Sequence, residues 1–439
     1  MLVVSLTVLA FGLTAGRLDG TPITMPMLFT GAGLLLGPSV LGLVDLGVDS
    51  GFVAGLAEAA LVVVLFTDAS RLDLRRVARE HQLAQRLLLL GLPLAILIGT
   101  GVGLVLAVPV VAVALTAAVL APTDAALGQA FVTAKDLPAR IRQTLNVESG
   151  LNDGLAVPFV LILVDLARED AGSPLGYLGL LVALVGLGVA AGALVGYLGG
   201  RLLLVSADRA WATEATQRIA TVSVAGIAYG GAELVGGNGF VATFVAGLVV
   251  GTTARELLPS VTVFAEAEGQ LLTLATFLLF GAVVAPAAFD LLSWQVVLYA
   301  ALSLLVVRPV AVALALLGTG VAWRTTLFLG WAGPRGLASI VYLVLVADAG
   351  AFEGQDTVVA VGSVTVLLSV VLHGVSAAPL SRAYGRHVHD VMSADDPERV
   401  DVPELPVRLA RRNPGRGSSG PGPDGQVPPT SSAGTSGSG

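Results

Sequence analysis

Long apolar stretches recur along almost the whole chain, and they restrict its fold more than any other feature. Many run for about 18 residues or more with few charged side chains, which is the length that an α-helix needs to cross a bilayer. A membrane β-barrel would show shorter segments of alternating polarity. Of the 439 residues, 55% are hydrophobic and only 13% are charged, whereas soluble domains have about 25% charged residues. The sequence therefore predicts an all-α, polytopic membrane protein.

The apolar stretches divide into about thirteen predicted transmembrane helices. The divisions within 83–134 and within 216–254 are the least distinct, because the dividing loops there are very short. The predicted spans are 1–16, 22–44, 52–70, 83–107, 109–134, 141–166, 175–205, 216–236, 239–254, 261–286, 293–318, 325–347 and 357–381. The glycine-rich stretch at 176–200 indicates either close helix packing or a dimer face.

The distribution of Lys and Arg predicts the orientation of these spans. Sixteen of these residues fall in the loops after the odd-numbered spans and at the start of the C-terminal tail, whereas the alternate loops contain only Arg168. Positively charged loops stay on the cytoplasmic side of the membrane. We therefore predict a multi-pass protein of the cell membrane with an external N-terminus and a cytoplasmic C-terminus.

The two ends of the chain differ in composition. The N-terminal stretch MLVVSLTVLAFGLTAGR lacks a basic region ahead of its apolar part, which favours a first membrane helix over a cleaved signal peptide. After about Arg386 the chain is rich in Gly, Pro and Ser and has too few large apolar residues to bury a core. We predict a transmembrane domain at 1–385 and a cytoplasmic, mostly disordered tail at 386–439.

Three carboxyl groups interrupt two of the apolar stretches. Asp124 lies in PTDAALG, and Glu148 and Asp153 lie in ESGLND. One ionisable residue at the centre of a membrane helix costs about 2.5–3.5 kcal/mol on insertion scales, so such residues usually mark a functional site. In a helix over 141–166, Glu148, Ser149, Asn152 and Asp153 share one face. They form a polar notch in an otherwise apolar rod.

Two spans contain residues that break helices. Pro122 removes a backbone hydrogen bond in the middle of span 5, and Gly333-Pro334-Arg335-Gly336 interrupts span 12. If spans 1–6 and 8–13 are repeats linked by span 7, these two breaks correspond and the second copy is inverted. Inverted repeats with broken helices near the membrane centre are typical of secondary transporters that work by alternating access.

The available ligands indicate the kind of ion that is transported. Carboxylates, hydroxyls and carbonyls are hard oxygen donors, which suit alkali cations and protons. The sequence has no cysteine, no cluster of His residues and no Walker A motif, so neither a transition-metal site nor an ATP-driven pump is indicated. Two arginines, Arg308 and Arg335, also lie inside spans and need partners there. His373 is alone on an apolar helix and is interpreted as a packing histidine.

Four motifs resemble one known family. APTDAAL, ESGLNDG, VVRPVAV and GPRGLAS, in this order and on these spans, are similar to those of the NhaP/NHE-type monovalent cation:proton antiporters. The resemblance covers roughly residues 1–385. It implies a thirteen-helix inverted-repeat fold with two broken crossing helices, a homodimer, and exchange of sodium for protons without a cofactor.

The resemblance also implies roles for individual residues. Asp153 would be the carboxylate that binds cation and proton. Asp124 and Ser149 would join it as sodium ligands, together with the backbone carbonyl of Thr123. A buried hydrogen-bonding role for Asp124 is the alternative.

The remaining motif residues would be structural. Glu148 would pair with Arg308, although direct ligation by Glu148 is an open alternative. Asn152 would hold the crossing region together, and Arg335 would brace the second broken helix.

The chain departs from the family pattern at two positions. Ala125 follows Asp124 where the family usually has proline, but Pro122 still supplies a break. LFTDASRLD at 65–73 differs from the commoner Glu-Gly-Gly form, and Asp68 is a candidate to replace that acid.

The residues, together with the family that they resemble, favour a sodium/proton antiporter of the cell membrane over an enzyme or a nucleic-acid-binding protein, and the resemblance implies a role in pH homeostasis. A potassium/proton antiporter is the nearest alternative, because the ligand set does not separate the two ions. An ion channel is disfavoured, because no repeated filter sequence occurs. Since position 152 is an amide beside Asp153, we also predict electroneutral exchange of one cation for one proton.

Overall fold

The structure, a computed structural model, describes residues 2–18, 22–44, 51–72, 77, 79–168, 174–393, 395–400 and 402. The regular secondary structure of this part of the chain is helical. The main helices are α1 (Leu2–Leu18), α2 (Met25–Leu36), α3 (Gly51–Arg71), α4 (Gln82–Leu106), α5 (Val110–Val119), α6 (Gln129–Val132), α7 (Ala139–Ala167), α8 (Pro174–Asp208), α9 (Glu214–Leu234), α10 (Gly239–Thr253), α11 (Leu258–Leu279), α12 (Trp294–Ala315), α13 (Trp323–Trp331), α14 (Leu337–Asp348) and α15 (Gln355–Val391).

The predicted all-α membrane fold is confirmed. Among the described residues, seven helical stretches are long and apolar enough to cross a bilayer, and shorter apolar helices such as α2, α5, α10 and α14 accompany them. Each predicted span falls on one helical stretch or on two consecutive half-helices. The number of crossings and the orientation of the termini stay predictions.

Spans 5 and 12 are both interrupted, as the sequence predicts. The first break separates α5 from α6 and covers residues 120–128, and the second separates α13 from α14 and covers residues 332–336. The first break is longer than one proline requires, and the hydrogen bonds described below explain the difference.

A second matched pair of irregularities lies in spans 4 and 11, which are counterparts in the predicted repeat. The helix of span 4 contains one π turn at Leu87–Gly91, and the helix of span 11 contains one at Ser303–Val307, directly before Arg308. The two helices pack against each other at these turns. Such turns are frequent at functional sites, and here they border the crossing of the two breaks.

A ridge of glycines brings α8 and α10 into backbone contact. Gly188, Gly192 and Gly196 recur every four residues, and a methyl group at any of them would crowd a carbonyl oxygen within 238–246. Small residues at this spacing are the usual means of close helix contact in membranes. Of the two roles predicted for this stretch, the structure therefore shows packing within the chain, and a dimer face there stays a prediction.

The ordered chain continues past the predicted boundary between domain and tail. α15 runs through residue 385 and ends at Val391. Glu398 is buried and accepts hydrogen bonds from the backbone N–H of Ala322 and the hydroxyl of Thr325, both at 2.7 Å. The division into two domains stays a prediction, and residues 403–439 of the predicted tail lie outside the described residues.

Candidate functional site

The two breaks cross and satisfy each other's backbone groups. The N–H of Asp124 donates to the carbonyl of Pro334 at 2.8 Å. In the other direction, Nη1 of Arg335 donates to the carbonyls of Ala121 and Pro122 at 2.8 and 2.9 Å. Unpaired backbone groups inside a membrane cost several kcal/mol each, so this exchange explains how two helices can be open at the same place.

The carboxylate of Asp124 accepts hydrogen bonds from backbone N–H groups on both broken helices. Its Oδ1 accepts the N–H groups of Ala126 and Leu127 at 2.6 and 2.9 Å, and its Oδ2 accepts the N–H of Leu337 at 2.6 Å. Leu337 is the first residue of α14, so Asp124 acts as an N-terminal cap supplied from another helix. These contacts favour the hydrogen-bonding role of Asp124, and direct ligation of a cation by Asp124 stays a prediction.

The polar face of α7 lies against the first break. The hydroxyls of Thr123 and Ser149 are 3.0 Å apart, and Nδ2 of Asn152 donates to Oγ1 of Thr123 at 2.7 Å. Asp153 is buried on the same face, and its backbone carbonyl accepts a hydrogen bond from Tyr342 at 2.7 Å. The first break and the facing side of α7 thus carry hydroxyl and carboxyl groups that are all buried.

Glu148 and Arg308 form a buried, bidentate ion pair. Nη1 and Nη2 of Arg308 lie 2.9 and 3.1 Å from the two carboxylate oxygens of Glu148, and both side chains are less than a tenth exposed. Nη2 also faces the carbonyl of Leu329 in α13 at 3.4 Å. Gly333 makes room for this arrangement, because a methyl group there would overlap the guanidinium.

All eight residues named from the sequence converge on this crossing: Thr123, Asp124, Glu148, Ser149, Asn152, Asp153, Arg308 and Arg335. Asp68 lies next to α7, with its Cβ about 4.0 Å from the place of a methyl group on Gly150. Its carboxylate is 4.0 Å from the guanidinium of Arg71. Asp68 thus borders the polar face of α7, and its part in the site stays a prediction.

Sequence reasoning missed four side chains that support the crossing. Ser339 donates to the carbonyl of Val119, the last residue of α5, at 2.8 Å, and Tyr342 holds α7 as described above. Ser369 and His373 on α15 bond to the second break. In the sequence, each of them is only a polar side chain on an apolar helix. The same pattern is found for polar residues that merely pack in a core, so it does not identify a site residue.

Crossed broken helices with a buried carboxyl group beside them are typical of secondary transporters, and comparison with known proteins specifies the family. The family described as "Sodium/hydrogen exchanger, transmembrane" matches residues 2–383. The chain belongs to this family of cation/proton antiporters, which are transporters and not enzymes.

Two named relatives differ from this chain at most aligned positions. A K(+)/H(+) antiporter NhaP from Alkalimonas amylolytica is 26% identical over 367 residues, which cover 83% of this chain and 62% of the relative. A K(+)/H(+) antiporter NhaP2 from Shewanella sp. (strain ANA-3) is 26% identical over 304 residues, 68% of this chain and 49% of the relative. The chain therefore spans about half the length of several relatives that it matches.

Two solved structures share the fold. The sodium proton antiporter MjNhaP1 from Methanocaldococcus jannaschii at pH 8 superimposes with a TM-score of 0.72 and 21% sequence identity, over 86% of this chain and 97% of that chain. An electron-microscopy structure of the same antiporter gives a TM-score of 0.67 over 87% and 96% of the two chains. The predicted resemblance to NhaP-type antiporters is confirmed.

Proposed function

We propose that this protein exchanges sodium for protons across the cell membrane by alternating access, with Asp153 as the carboxylate that binds each ion in turn. The observation that carries the proposal is that Asp153 is buried on the face of α7 that also carries Ser149, whose hydroxyl is 3.0 Å from that of Thr123 in the first break. Carboxylate and hydroxyl oxygens are suitable ligands for an alkali cation. A buried carboxylate is costly unless a positive charge accompanies it, so Asp153 is expected to hold either a proton or a cation.

Glu148 and Asp124 are each bound by several donors. Glu148 is paired with Arg308, and Asp124 accepts three backbone N–H groups. Asn152 does not titrate, and it holds Thr123. Asp153 stands at the position that the family resemblance gives to the ion-binding carboxylate, so we assign the exchanged proton to Asp153 alone. The exchange is then electroneutral, with one proton for each cation.

The sodium ligands in this proposal are Asp153, Ser149 and the backbone carbonyl of Thr123, with Asp124 beside them. An ionised carboxylate offers about four acceptor positions, so Asp124 keeps one for a cation after its three N–H contacts. Arg335 supports the same place from the other break, because it donates to the carbonyls of Ala121 and Pro122.

Potassium is the second candidate cation. The relatives cited above are named K(+)/H(+) antiporters, whereas the structural neighbour is named a sodium proton antiporter. Purified protein in liposomes that contain a pH-sensitive dye separates the two, since sodium, lithium, potassium and choline can be added in turn. Sodium-dependent proton movement that Asp153→Asn abolishes supports the proposal, and a response to potassium alone would assign the second cation.

The same proposal includes a homodimer in the cell membrane with its C-terminus in the cytoplasm. The chain has no cysteine, so single cysteines report orientation without background. Asp208 is the last residue of α8, just before the loop into α9, and Val235 directly follows the other end of α9. Both positions are exposed, so Asp208→Cys and Val235→Cys are accessible to a thiol reagent. In intact cells an impermeant thiol reagent should label only Val235→Cys, and the reverse labelling would invert the topology. Chemical cross-linking of the protein in membranes, followed by gel electrophoresis, should give a band at twice the mass of the chain if it is a homodimer.

A further inference from the structure

The second break has a support that the family motifs do not contain. His373 and Ser369 lie one turn apart on α15, and both are almost fully buried. Nε2 of His373 is 3.0 Å from the carbonyl of Trp331, the last residue of α13. Oγ of Ser369 accepts the backbone N–H of Arg335 at 2.6 Å. The two side chains therefore reach both sides of the break.

The hydrogen bonds fix the direction of each donor. A carbonyl only accepts, so Nε2 of His373 must carry the proton that points to Trp331. Oγ of Ser369 accepts from Arg335 and has its own hydrogen left to donate, and Nδ1 of His373 lies 3.2 Å away. A doubly protonated ring would be a buried charge, which burial disfavours. Of the two neutral forms, a proton on Nδ1 would meet the carbonyl of Ser369 at 3.0 Å but place two acceptors together at Trp331. A proton on Nε2 keeps the bond to Trp331 and the bond from the Ser369 hydroxyl, and it leaves Nδ1 facing the Ser369 carbonyl. We assign the neutral imidazole with its proton on Nε2, because only this form links Trp331 to Ser369 through the ring.

A ring contact holds the imidazole in this orientation. The indole of Trp331 stacks on His373 with centroids 4.6 Å apart and an interplanar angle of 20°. The indole nitrogen donates to Ser376, also on α15, at 2.9 Å. The C-terminal end of α13 is thus attached to α15 at two points, and the imidazole has little freedom to turn.

These contacts lead to the candidate cation site through Arg335. The backbone of Arg335 is held by Ser369, and its guanidinium holds the carbonyls of Ala121 and Pro122 next to Thr123. We propose that His373 and Ser369 are positioning residues: they set Arg335, and through it the first break, in the geometry that binds the cation. The inference rests on the proposed function for its link to transport, whereas the tautomer of His373 can be tested separately.

Transport kinetics test the link with a matched pair of variants. Ser369→Ala removes the acceptor of the Arg335 N–H, whereas Ser363→Ala removes an equally buried hydroxyl of α15 that makes no hydrogen bond among the described residues. One net hydrogen bond corresponds to an expected rise of about three- to tenfold in the half-saturating cation concentration for Ser369→Ala. Ser363→Ala should equal the wild type, and both variants should keep their maximal rate within about twofold.

Rescue by a conservative variant separates positioning from packing. His373→Leu should raise the half-saturating concentration as Ser369→Ala does. His373→Gln should restore it, because the amide supplies a donor for Trp331 and an acceptor for Ser369. The double variant Ser369→Ala/His373→Leu should be no weaker than the weaker single variant, since both act through one chain of bonds. If His373→Leu does not fold, the inference is tested by comparing Ser369→Ala with Ser363→Ala and by comparing His373→Gln with the wild type.

Nitrogen NMR of protein labelled at its four histidines reads the tautomer without any transport. The signal that is lost in His373→Gln should be that of a neutral ring with its proton on Nε2. A proton on Nδ1 alone, or a doubly protonated ring at neutral pH, would overturn the inference even in an active protein. Equal half-saturating cation concentrations in Ser369→Ala and Ser363→Ala would also overturn it. The same holds if His373→Gln has a half-saturating concentration as high as that of His373→Leu. Absence of exchange in the wild type would instead overturn the proposed function.

Discussion

The two broken helices make different kinds of contact, although they are counterparts in the predicted repeat. The first break, 120–128, contains Thr123 and Asp124, and its contacts are with α7 and with the other break. The second break, 332–336, contains Arg335, whose backbone N–H is bonded to Ser369 of α15. The end of α13 just before the break is held from α12, where Arg308 contacts the carbonyl of Leu329. The comparison assigns the proposed cation ligand Thr123 to the first break, whereas the second break acts as a scaffold that keeps the first in place.

The difference follows from the charges of the two breaks. An acid in the first break can accept the N–H groups at helix starts, whereas an arginine in the second can donate to the carbonyls at a helix end. Asp124 and Arg335 do this across the crossing, each for the partner's backbone. A helix start is electropositive and a helix end is electronegative, so each charge lies where the partner helix stabilises it.

The largest expected effect comes from removing one partner of the ion pair that supports the scaffold. Glu148→Ala or Arg308→Ala leaves a buried charge without its partner, which typically costs about 3–5 kcal/mol. Thermal melting in detergent should show both single variants strongly destabilised and inactive. The double variant should be less destabilised than the sum of the singles, and additive losses would show that the two residues act independently.

A glycine between the breaks gives the next largest effect. A methyl group on Gly336 would overlap the Asp124 carboxylate, so Gly336→Ala should displace Asp124 from its N–H partners. Each buried group left unpaired costs about 1–3 kcal/mol, and both melting temperature and transport should fall. Gly226→Ala on α9 is the matched control, because nothing lies within 4 Å of its added methyl group. Equal behaviour of the two variants would contradict the described contact.

The same substitution at two acids separates the capping role of Asp124 from the ion-exchanging role proposed for Asp153. Asp124→Asn turns an amide N–H₂ towards backbone donors, so it should destabilise the protein by about 1–3 kcal/mol. Asp153→Asn removes a buried charge and should leave the melting temperature unchanged while it abolishes exchange. Melting curves of the two variants, measured with transport, decide this. Destabilisation by Asp153→Asn with exchange retained would reverse the two roles.

Membrane potential should have the smallest effect. An exchange that moves net charge would gain or lose about 2.3 kcal/mol per charge at 100 mV, whereas the one-for-one exchange proposed here moves none. The rate of wild-type proteoliposomes should therefore stay within about twofold when valinomycin and potassium gradients set the voltage. A systematic change with voltage at fixed gradients of the transported ions would show that a second proton is exchanged, with Asp124 as its candidate source.

Much of this arrangement can be predicted from the sequence, because hydropathy and helix breakers act locally. The spans, the break at Gly333-Pro334-Arg335-Gly336 and the shared face of α7 all follow from residue spacing. The extent of the first break does not. Pro122 marks its start, but the N–H groups of Ala126 and Leu127 turn towards the Asp124 carboxylate, and no pattern of side chains encodes backbone donors.

The contacts of α15 with the second broken helix cannot be predicted from the sequence either, because they also involve backbone groups. His373 was interpreted as a packing histidine because a lone imidazole on an apolar helix is usually that. The bond to Trp331 joins positions 42 residues apart and the bond to Arg335 joins positions 34 residues apart, and a single sequence does not show such pairs. The Glu148–Arg308 pair is more distant still, and it was expected only through the resemblance of its motifs to those of the family.

Proton release on cation binding tests most directly the claim that Asp153 alone exchanges its proton for the cation. Purified wild-type protein in weakly buffered detergent solution, near the pH of half-maximal transport, should acidify the solution when sodium is added. The release should approach one proton per chain at saturation when the starting protein is fully protonated at the site. Asp153→Asn should release none, and Asp124→Asn should still release protons. Release by Asp153→Asn equal to that of the wild type would contradict the assignment.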